Sequence, residues 1–374
     1  MPRYKMSDVV VEINERENNP AESKYERFVG LEHYVSGEVI IRNFGSTERL
    51  ESTMKVFQSG DILVARRNVY LKRAATVDFD GLTSGDSIVL RPTNYLIGRI
   101  LPFVLNTDAF WDFADRYSDG TMSKRLSPKT LMKYEFDLPN DDELSLLADT
   151  LWAANDTREA YQELLRQSDE LVKSQFIELF GDPQKNSYHW PKVKLKDCLV
   201  RIDSGKSITC ETFSRTGYLP AVLKLSAVTY GEYNANENKQ LPDPDLFVPE
   251  AEVKAGDLLF SRKNTLEYVG MSALVKDTPP YLMLPDLIFR LVPRKNICPQ
   301  YLHQLINHSQ YRSTISNLAT GTAGSMPNIS KQKLLELEIP LPPIEDQRRI
   351  EPIVEQLDKS KYFILHLLRG WKRR

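Results

Sequence analysis

The chain has 374 residues, of which 41% are hydrophobic and 27% charged, and its formal net charge is −2. This composition is ordinary for a globular protein, and the length allows two or three domains, each with its own core. No apolar run is long enough to cross a bilayer, and the first residues lack the apolar stretch of a signal peptide. The three cysteines lie far apart, so the sequence predicts a cytoplasmic protein without a disulfide framework.

One pattern occurs twice: residues 60–68 read GDILVARRN and residues 256–264 read GDLLFSRKN. Three more pairs of segments match in the same order, namely 5–10 with 194–200, 29–39 with 223–233, and 118–139 with the end of 319–342. Chance produces one such match more readily than four in one order. The sequence therefore predicts a globular unit of roughly 140–150 residues that is present twice.

Each repeated unit is predicted to be a mixed α+β domain. Apolar alternation between turn residues predicts strands in segments 56–67, 83–92, 255–263 and 287–295. Gly-Asp is well suited to make the turn that leads into a strand. Helical spacing of apolar residues predicts helices over 96–117 and 299–319.

Two further helices are predicted, one after each unit. The first follows Asn140 for about 40 residues without Pro or Gly and carries an apolar stripe from Leu144 to Leu179. The second carries a stripe from Ile350 to Trp371. Segments 141–185 and 341–374 have net charges of −7 and +3. We therefore expect the two helices to pair antiparallel as a spacer, and the alternative is that each helix packs on its own domain.

Two similar units on a fixed spacer suit the reading of a regular linear polymer. DNA fits best, because half-sites on one face lie about 34–36 Å apart for one helical turn. Strand ends and polar loops at equivalent places in the two units provide hydroxyls, amides and cations for phosphates or base edges. A solvated surface position is the alternative for each of them. The candidate DNA contacts are Arg66, Arg67, Ser123, Lys124, Arg125, Lys206, Arg262, Lys263, Thr322, Ser325 and Asn328.

Three motifs make the chain resemble the specificity subunits of type I restriction–modification systems. They are ELFGDP at 178–183 followed by WPKVKL from Trp190, the repeated GD-(L/I)-L-x-x-R strand, and IPLPPIEDQRRI at 339–350. In that family two target-recognition domains each read one half of a split DNA site. The helices that separate the domains dock the modification subunits.

The resemblance implies an α+β fold with two similar target-recognition domains separated by an antiparallel pair of long helices. The corresponding segments are domain 1 at 1–140, a spacer helix at 141–185, domain 2 at 186–340 and a C-terminal spacer helix at 341–374. The implied partners are double-stranded DNA, methyltransferase subunits, two in number, and restriction subunits that join them, with no membrane. No cofactor is expected in this chain, whereas S-adenosylmethionine, Mg and ATP would belong to the partner subunits.

The chain departs from the family pattern in three places. The first unit has no counterpart of Trp190-Pro191, and the polar segment 14–26 is predicted to be a loop without an equivalent in the second unit. Pro352 falls within the final helix, where it is expected to cause a kink.

A catalytic function is the main alternative to DNA reading. Asp243, Glu252 and Lys254 fit the loose PD…ExK pattern of metal-dependent nucleases. However, Glu252 and Lys254 lead directly into the repeated strand, and the chain has no P-loop, no Gly-rich nucleoside loop and no zinc spacing of His and Cys. We therefore expect a chain without a catalytic site. A third possibility is a coiled-coil scaffold that does not bind DNA.

Overall fold

The computed structural model describes residues 2–121, 123–321 and 326–371, and their side chains as far as Ile364. The chain divides into two compact units, Met1–Glu159 and Ala160–Arg374. The division falls within one long helix that both units share. The finer division into four segments at 140, 185 and 340 remains a prediction.

The first unit is built mainly of short strands. The strands are β1 (Arg3–Lys5), β2 (Val10–Ile13), β3 (Arg16–Glu17), β4 (Arg27–Val29), β5 (Gly45–Ser46), β6 (Met54–Phe57), β7 (Ile62–Ala65), β8 (Ala74–Thr76), β9 (Gly81–Thr83), β10 (Ser87–Pro92) and β11 (Glu135–Asp137). The helices are α1 (Met6–Val9), α2 (Tyr95–Val104), α3 (Asp108–Tyr117), α4 (Pro128–Leu131) and the first half of α5 (Asp141–Phe180).

Two sheets share the core of this unit. An antiparallel sheet has the order β2-β10-β7-β8, a mixed sheet has the order β3-β6-β9-β4-β5, and β1 pairs with β11. Strand β7 is apolar on both faces because Ile62 and Val64 pack in a cluster with residues of α2 and α3, while Leu63 packs with residues of β4 and β6. A strand buried on both faces reads as a continuous apolar run, which is the ILVA of this sequence.

The second unit repeats this plan. Its strands are β12 (Lys192–Lys194), β13 (Leu199–Ser204), β14 (Ala221–Leu223), β15 (Asn238–Gln240), β16 (Leu258–Ser261), β17 (Ser272–Leu274), β18 (Leu282–Met283), β19 (Ile288–Pro293) and β20 (Glu338–Pro340). Its helices after α5 are α6 (Pro299–Asn307), α7 (Arg312–Ser316), α8 (Lys331–Leu335), α9 (Ile344–Arg348) and α10 (Ile350–Trp371).

The predicted duplication is confirmed by the strand order. The main sheet of the second unit runs β13-β19-β16-β17, which is the order of β2-β10-β7-β8 element for element, and β12 pairs with β20 as β1 does with β11. Ser127 and Ser330 cap the equivalent helices α4 and α8. The second sheets differ, since β15-β14-β18 has fewer strands. The extra strand β3 lies within segment 14–26, so the prediction of a simple loop there is wrong.

Two predicted helices are interrupted. The segment 96–117 forms α2 and α3, because Thr107 has an extended backbone and accepts a hydrogen bond from the N–H of Phe110 as an N-cap. The segment 299–319 likewise forms α6 and α7, with an extended residue, His308, between them. Helical spacing continues through both breaks in the sequence, so apolar periodicity alone does not reveal them.

The long helix α5 has the bounds that the sequence predicts. It begins after Asn140, whose side chain accepts a hydrogen bond from the N–H of Glu143 at 3.0 Å, and it ends before Gly181, whose φ is +77°. None of the helices in the described parts of the chain combines the length and hydropathy that a bilayer span requires.

The two ends of α5 pack on the domains that they adjoin. Leu144 and Ala148 lie in a core cluster of the first unit, while Phe176 and Phe180 lie in a core cluster of the second. Between these ends Leu164 is about half exposed, with 46% of its surface accessible. Each end of α5 therefore packs on the domain that it adjoins, which was the alternative to pairing with the other spacer helix.

Helix α10 meets α5 within the second unit, as a pair of spacer helices requires. The Lys361 amine forms an ion pair with the Asp169 carboxylate, and Ile350 and Val354 share the core cluster of Phe176. The long helix and this ion pair support the predicted coiled coil. The predicted stripe positions 367, 368 and 371 have side chains outside the described residues.

The last helical segment is interrupted close to Pro352. It is divided into α9, which ends at Arg348, and α10, which begins at Ile350, so that Pro352 lies in the first turn of α10. A proline cannot donate a hydrogen bond to the carbonyl four residues earlier, which here belongs to Arg348 at the end of α9. The kink expected at Pro352 stays a prediction.

The repeated Gly-Asp makes the same turn in both units. Gly60 and Gly256 have φ values of +88° and +91°, a conformation that favours glycine. Asp61 and Asp257 each accept a hydrogen bond from the backbone N–H three residues earlier, at 2.8 and 2.9 Å. Both aspartates also bind an arginine of the neighbouring strand. Asp61 is 1% exposed and accepts two bonds of 2.8 Å from Arg91.

We expect Asp61→Ala to lower the free energy of unfolding by about 2–3 kcal/mol, because three hydrogen bonds to a buried carboxylate are lost and the guanidinium of Arg91 loses its ion pair. Asp78→Ala is the control, since Asp78 and its partner Arg42 are 61% and 50% exposed and such a pair contributes about 0–1 kcal/mol. Urea denaturation followed by circular dichroism measures both. Equal losses in the two variants would contradict the structural role of the buried pair.

Candidate nucleic-acid interface

In the first unit, the backbone brings the predicted strand end and the predicted loop together. Arg67 and Arg125 form an antiparallel bridge. It is held by hydrogen bonds from the N–H of Asn68 to the carbonyl of Lys124 at 2.9 Å and from the N–H of Leu126 to the carbonyl of Arg66 at 2.8 Å. The loop that contains Ser123, Lys124 and Arg125 is therefore an extension of the main sheet, beside the end of β7.

The first cluster comprises Arg66, Arg67, Ser123, Lys124 and Arg125. Carboxylates that the sequence analysis did not consider hold three of its cations, which are Arg67, Lys124 and Arg125. Arg125 forms an ion pair with Asp86, and the Arg67 guanidinium lies 3.7 Å from the other oxygen of the same carboxylate. Lys124 donates a 2.6 Å hydrogen bond to Asp115 of α3. The only local signal for Asp86 is the turn SGD at 84–86 before a predicted strand.

A buried lysine lies close to this cluster. Lys55 is 8% exposed, and its amine donates a 3.0 Å hydrogen bond to the carbonyl of Ser87, next to Asp86. Burial lowers the pKa of Lys55, and the charge of Arg66 lowers this pKa further, while Glu12 opposes both. Lys55 thus anchors the start of β10, from which Asp86 projects.

The second unit has the same bridge at the equivalent position. Lys263 pairs with Asn328, held by a hydrogen bond from the N–H of Ile329 to the carbonyl of Arg262 at 2.8 Å. The Arg262 Nε–H donates to the amide oxygen of Asn328 at 3.0 Å. Arg262, Lys263 and Asn328 therefore form a second cluster that matches the first. The predicted contacts Thr322 and Ser325 lie outside the described residues.

An aromatic ring supports the second cluster and was missed by the sequence analysis. The guanidinium of Arg262 lies 5.0 Å and the amine of Lys331 5.5 Å from the ring centre of Phe289. Each contact of this kind contributes about 0.5–1 kcal/mol at an exposed site and fixes where the cation lies. In the sequence Phe289 is only an apolar position of a strand, so the pattern does not reveal that its ring contacts two cations.

Lys206 lies at a cleft of the second unit, after the end of β13. It is exposed and pairs with Pro285 in a parallel bridge. The cleft has a volume of about 500 Å³, and Lys206, Arg201 and Lys331 are among its lining residues. Lys331 thus joins this cleft to the second cluster. Arg290 also lines the cleft, but its guanidinium is engaged by Asp203 and Asp257.

The nuclease-like pattern does not form a metal site. The Asp243 carboxylate accepts a hydrogen bond from the N–H of Asp245 at 2.9 Å, and the Glu252 carboxylate accepts one from the N–H of Tyr281 at 3.0 Å. In the parts of the chain that the structure describes, no group of three His, Cys, Asp or Glu side chains could hold a metal ion. These carboxylates stabilise turns instead.

Comparison with known proteins identifies the second unit directly. Residues 189–366 match the family described as the type I restriction modification DNA specificity domain. The specificity subunit of the type I restriction enzyme EcoEI of Escherichia coli is 31% identical over 172 residues, which are 46% of this chain and 29% of that protein. The EcoKI specificity subunit of Escherichia coli K12 is 23% identical over 283 residues, which are 72% and 60% of the two chains.

The fold of the whole chain agrees with these matches. The crystal structure of the type I restriction–modification S subunit from M. genitalium superposes with a TM-score of 0.60 at 15% identity, over 99% of this chain and 92% of that one. The chain contains a domain of the type I restriction modification DNA specificity family at residues 189–366, and the resemblance to type I specificity subunits that its motifs indicated is confirmed. It spans less than two thirds of the length of the EcoEI and EcoKI subunits.

Gly205 allows the close backbone approach that positions Lys206, because a Cβ there would lie 1.6 Å from the carbonyl oxygen of Leu284. We expect Gly205→Ala to destabilise the protein by about 1–3 kcal/mol, as overpacking does. Gly85→Ala is the matched control, since a Cβ at Gly85 meets no atom within 4 Å. Thermal denaturation of both variants measures the difference, and a Gly205→Ala protein as stable as the wild type would contradict the assigned contact.

Proposed function

We propose that this chain is the DNA-reading subunit of a type I restriction–modification complex. It recognises a bipartite site in double-stranded DNA and directs partner methyltransferase subunits to that site, without catalysis of its own. One observation carries the proposal: the same bridge occurs at the same corner of the same sheet in both units, at Arg67–Arg125 and at Lys263–Asn328. Cations and amides are thereby grouped where a duplicated reader needs them.

The partners and cofactors follow from this role. We propose that two methyltransferase subunits and, in the full complex, restriction subunits assemble on the helical parts of the chain in the cytoplasm. S-adenosylmethionine, Mg and ATP are bound by those subunits. The exposed side chains of α5 between residues 162 and 167 and of α10 around Tyr362, which is 74% exposed, offer surfaces for such assembly.

The contribution of the second cluster is measured by the double variant Arg262→Ala and Lys263→Ala. We expect its affinity for target DNA to fall about tenfold or more, and the slope of log affinity against log salt concentration to fall by about 1–2 in magnitude, because two phosphate or base contacts are lost. Fluorescence anisotropy of labelled duplexes between 50 and 200 mM salt provides the measurement.

Lys185→Ala is the control for this experiment, since Lys185 is 80% exposed and lies in the turn after α5. Its affinity should remain within about twofold of the wild type, because an exposed charge outside the clusters is screened by salt. DNA affinity that does not depend on salt in any of the proteins would favour the alternative of a scaffold that reads no DNA.

The spacer role of α5 is tested by insertions within residues 162–167. Four or seven extra helical residues rotate the following helix by about +40° or −20°, whereas five rotate it by about 140°. We expect the first two insertions to preserve folding better, and the seven-residue insertion to lengthen the gap between half-sites by about 3 base pairs, from about 10 Å of added helix. An unchanged gap in a folded variant would contradict the spacer.

A further inference from the structure

Two like charges face each other in the first cluster. The hydrogen bonds on either side of the Arg67–Arg125 bridge make these residues a directly opposed, non-hydrogen-bonded pair, whose side chains lie on one side of the ribbon. Their side chains are 54% and 49% exposed. Like charges directly opposed across a strand pair are destabilising, so this arrangement requires compensation.

Asp86 supplies that compensation. Its carboxylate is 22% exposed and lies between the two guanidinium groups, with one oxygen toward each. The main chain fixes the position of Asp86, because its carbonyl accepts a 2.9 Å hydrogen bond from the N–H of Arg66. The carboxylate therefore comes from the sheet itself, and Arg67 and Arg125 share one rigid anchor.

The second unit shows what happens without an opposed pair of cations. The residue whose carbonyl accepts the hydrogen bond from the N–H of Arg262 is Leu287, at 3.1 Å, so Leu287 is the counterpart of Asp86. The opposed residues there are Lys263 and Asn328, which carry one charge instead of two. At this equivalent position the first unit, in which two arginines are opposed, has a carboxylate. The second unit, in which one cation is opposed to an amide, has an apolar residue.

This anchor favours a base edge over a phosphate. A carboxylate beside the arginines reduces the net charge of the group from +2 to +1 and repels a phosphate, which would weaken a purely electrostatic contact. It leaves each guanidinium with further N–H donors in a fixed direction, and a fixed fork suits a neutral, planar pair of acceptors. Guanine offers such a pair in the major groove, at O6 and N7.

We propose that Arg67 and Arg125 bind the major-groove edge of guanine in the half-site that the first unit reads, with Asp86 as the positioning residue. This inference rests on the proposed function, since it names the base that one unit recognises. Asp86 touches the arginines and not the DNA. Its removal therefore changes the base preference, while the sequence-independent attraction to DNA rises with the net charge.

The test selects binding sites from a random duplex library with the full chain, as wild type and as Asp86→Leu, which introduces the counterpart from the second unit. The wild type should select guanine at a fixed position of one half-site. Asp86→Leu should lose discrimination at that position by about 5- to 150-fold, the range for one bidentate contact, while its affinity for unrelated DNA at low salt stays equal or rises. Replacing the selected guanine by 7-deazaguanine, which lacks N7, should weaken the wild type and leave Asp86→Leu unchanged.

Two further variants separate positioning from general effects of charge and folding. Asp115→Leu removes the carboxylate that binds Lys124, so it changes the net charge equally and should keep the guanine preference. Asp86→Asn retains an acceptor of similar shape if the leucine variant fails to fold, and it should lose part of the discrimination. A thermal melt of each variant establishes that it is folded.

The inference is overturned if the wild type selects a split site but folded Asp86 variants keep the same guanine discrimination, or if binding by the wild type is insensitive to 7-deazaguanine. In that outcome the proposed function stands and the clusters contact phosphate instead. If the wild type selects no sequence at all, the proposed function fails first and the inference fails with it.

Discussion

A short antiparallel bridge, formed once in each unit, is the constraint on which the candidate interface depends. It ties a polar loop that follows a helix, α3 or α7, to the end of a strand that is buried on both faces. Because β7 and β16 lie within the core, the residues that follow them leave the core at a fixed place. The bridge holds these residues against the polar loop, so that the cations and amides of each cluster have fixed positions.

Duplication explains why there are two clusters, and divergence explains why their side chains differ. In the first unit the opposed residues are two arginines with a shared carboxylate, and in the second they are Lys263 and Asn328 above a sheet that presents Phe289. Both units retain the Gly-Asp turn, the sheet order and the serine caps, and none of these features belongs to the two clusters. Two units with one backbone plan and different side chains at the same corner are suited to read the two unlike halves of one site.

The sequence reveals those parts of the structure that leave a repeated or periodic signal. The duplicated strand and the bounds of α5 are examples, since a matched order in two units and a long apolar period are hard to produce by chance. Breaks such as that at Thr107 are hidden because apolar spacing continues across them. Pro352 indicates an interruption of the last helical segment but not its exact place, since α9 ends at Arg348, four residues before the proline.

Side-chain contacts between residues that lie far apart in the chain could not be predicted from the sequence either. Asp86 reads as a turn residue and Phe289 as a core residue, and only the sheet register brings the first to Arg125 and the second under Arg262. The predicted contacts Arg67 and Arg125 share a carboxylate partner of this kind, which changes what they can bind. A carboxylate partner fixes the orientation of a cationic side chain, so the remaining N–H donors of this side chain point in a defined direction.

The central claim is that this chain selects a split DNA site for a partner methyltransferase. Co-expression of this chain with a type I methyltransferase subunit, followed by mapping of every methylated base, tests this role directly. We expect methylation within one asymmetric motif of two specified parts and an unspecified middle of constant length. Methylation at a single continuous motif, or at the same sites when this chain is omitted, would contradict it.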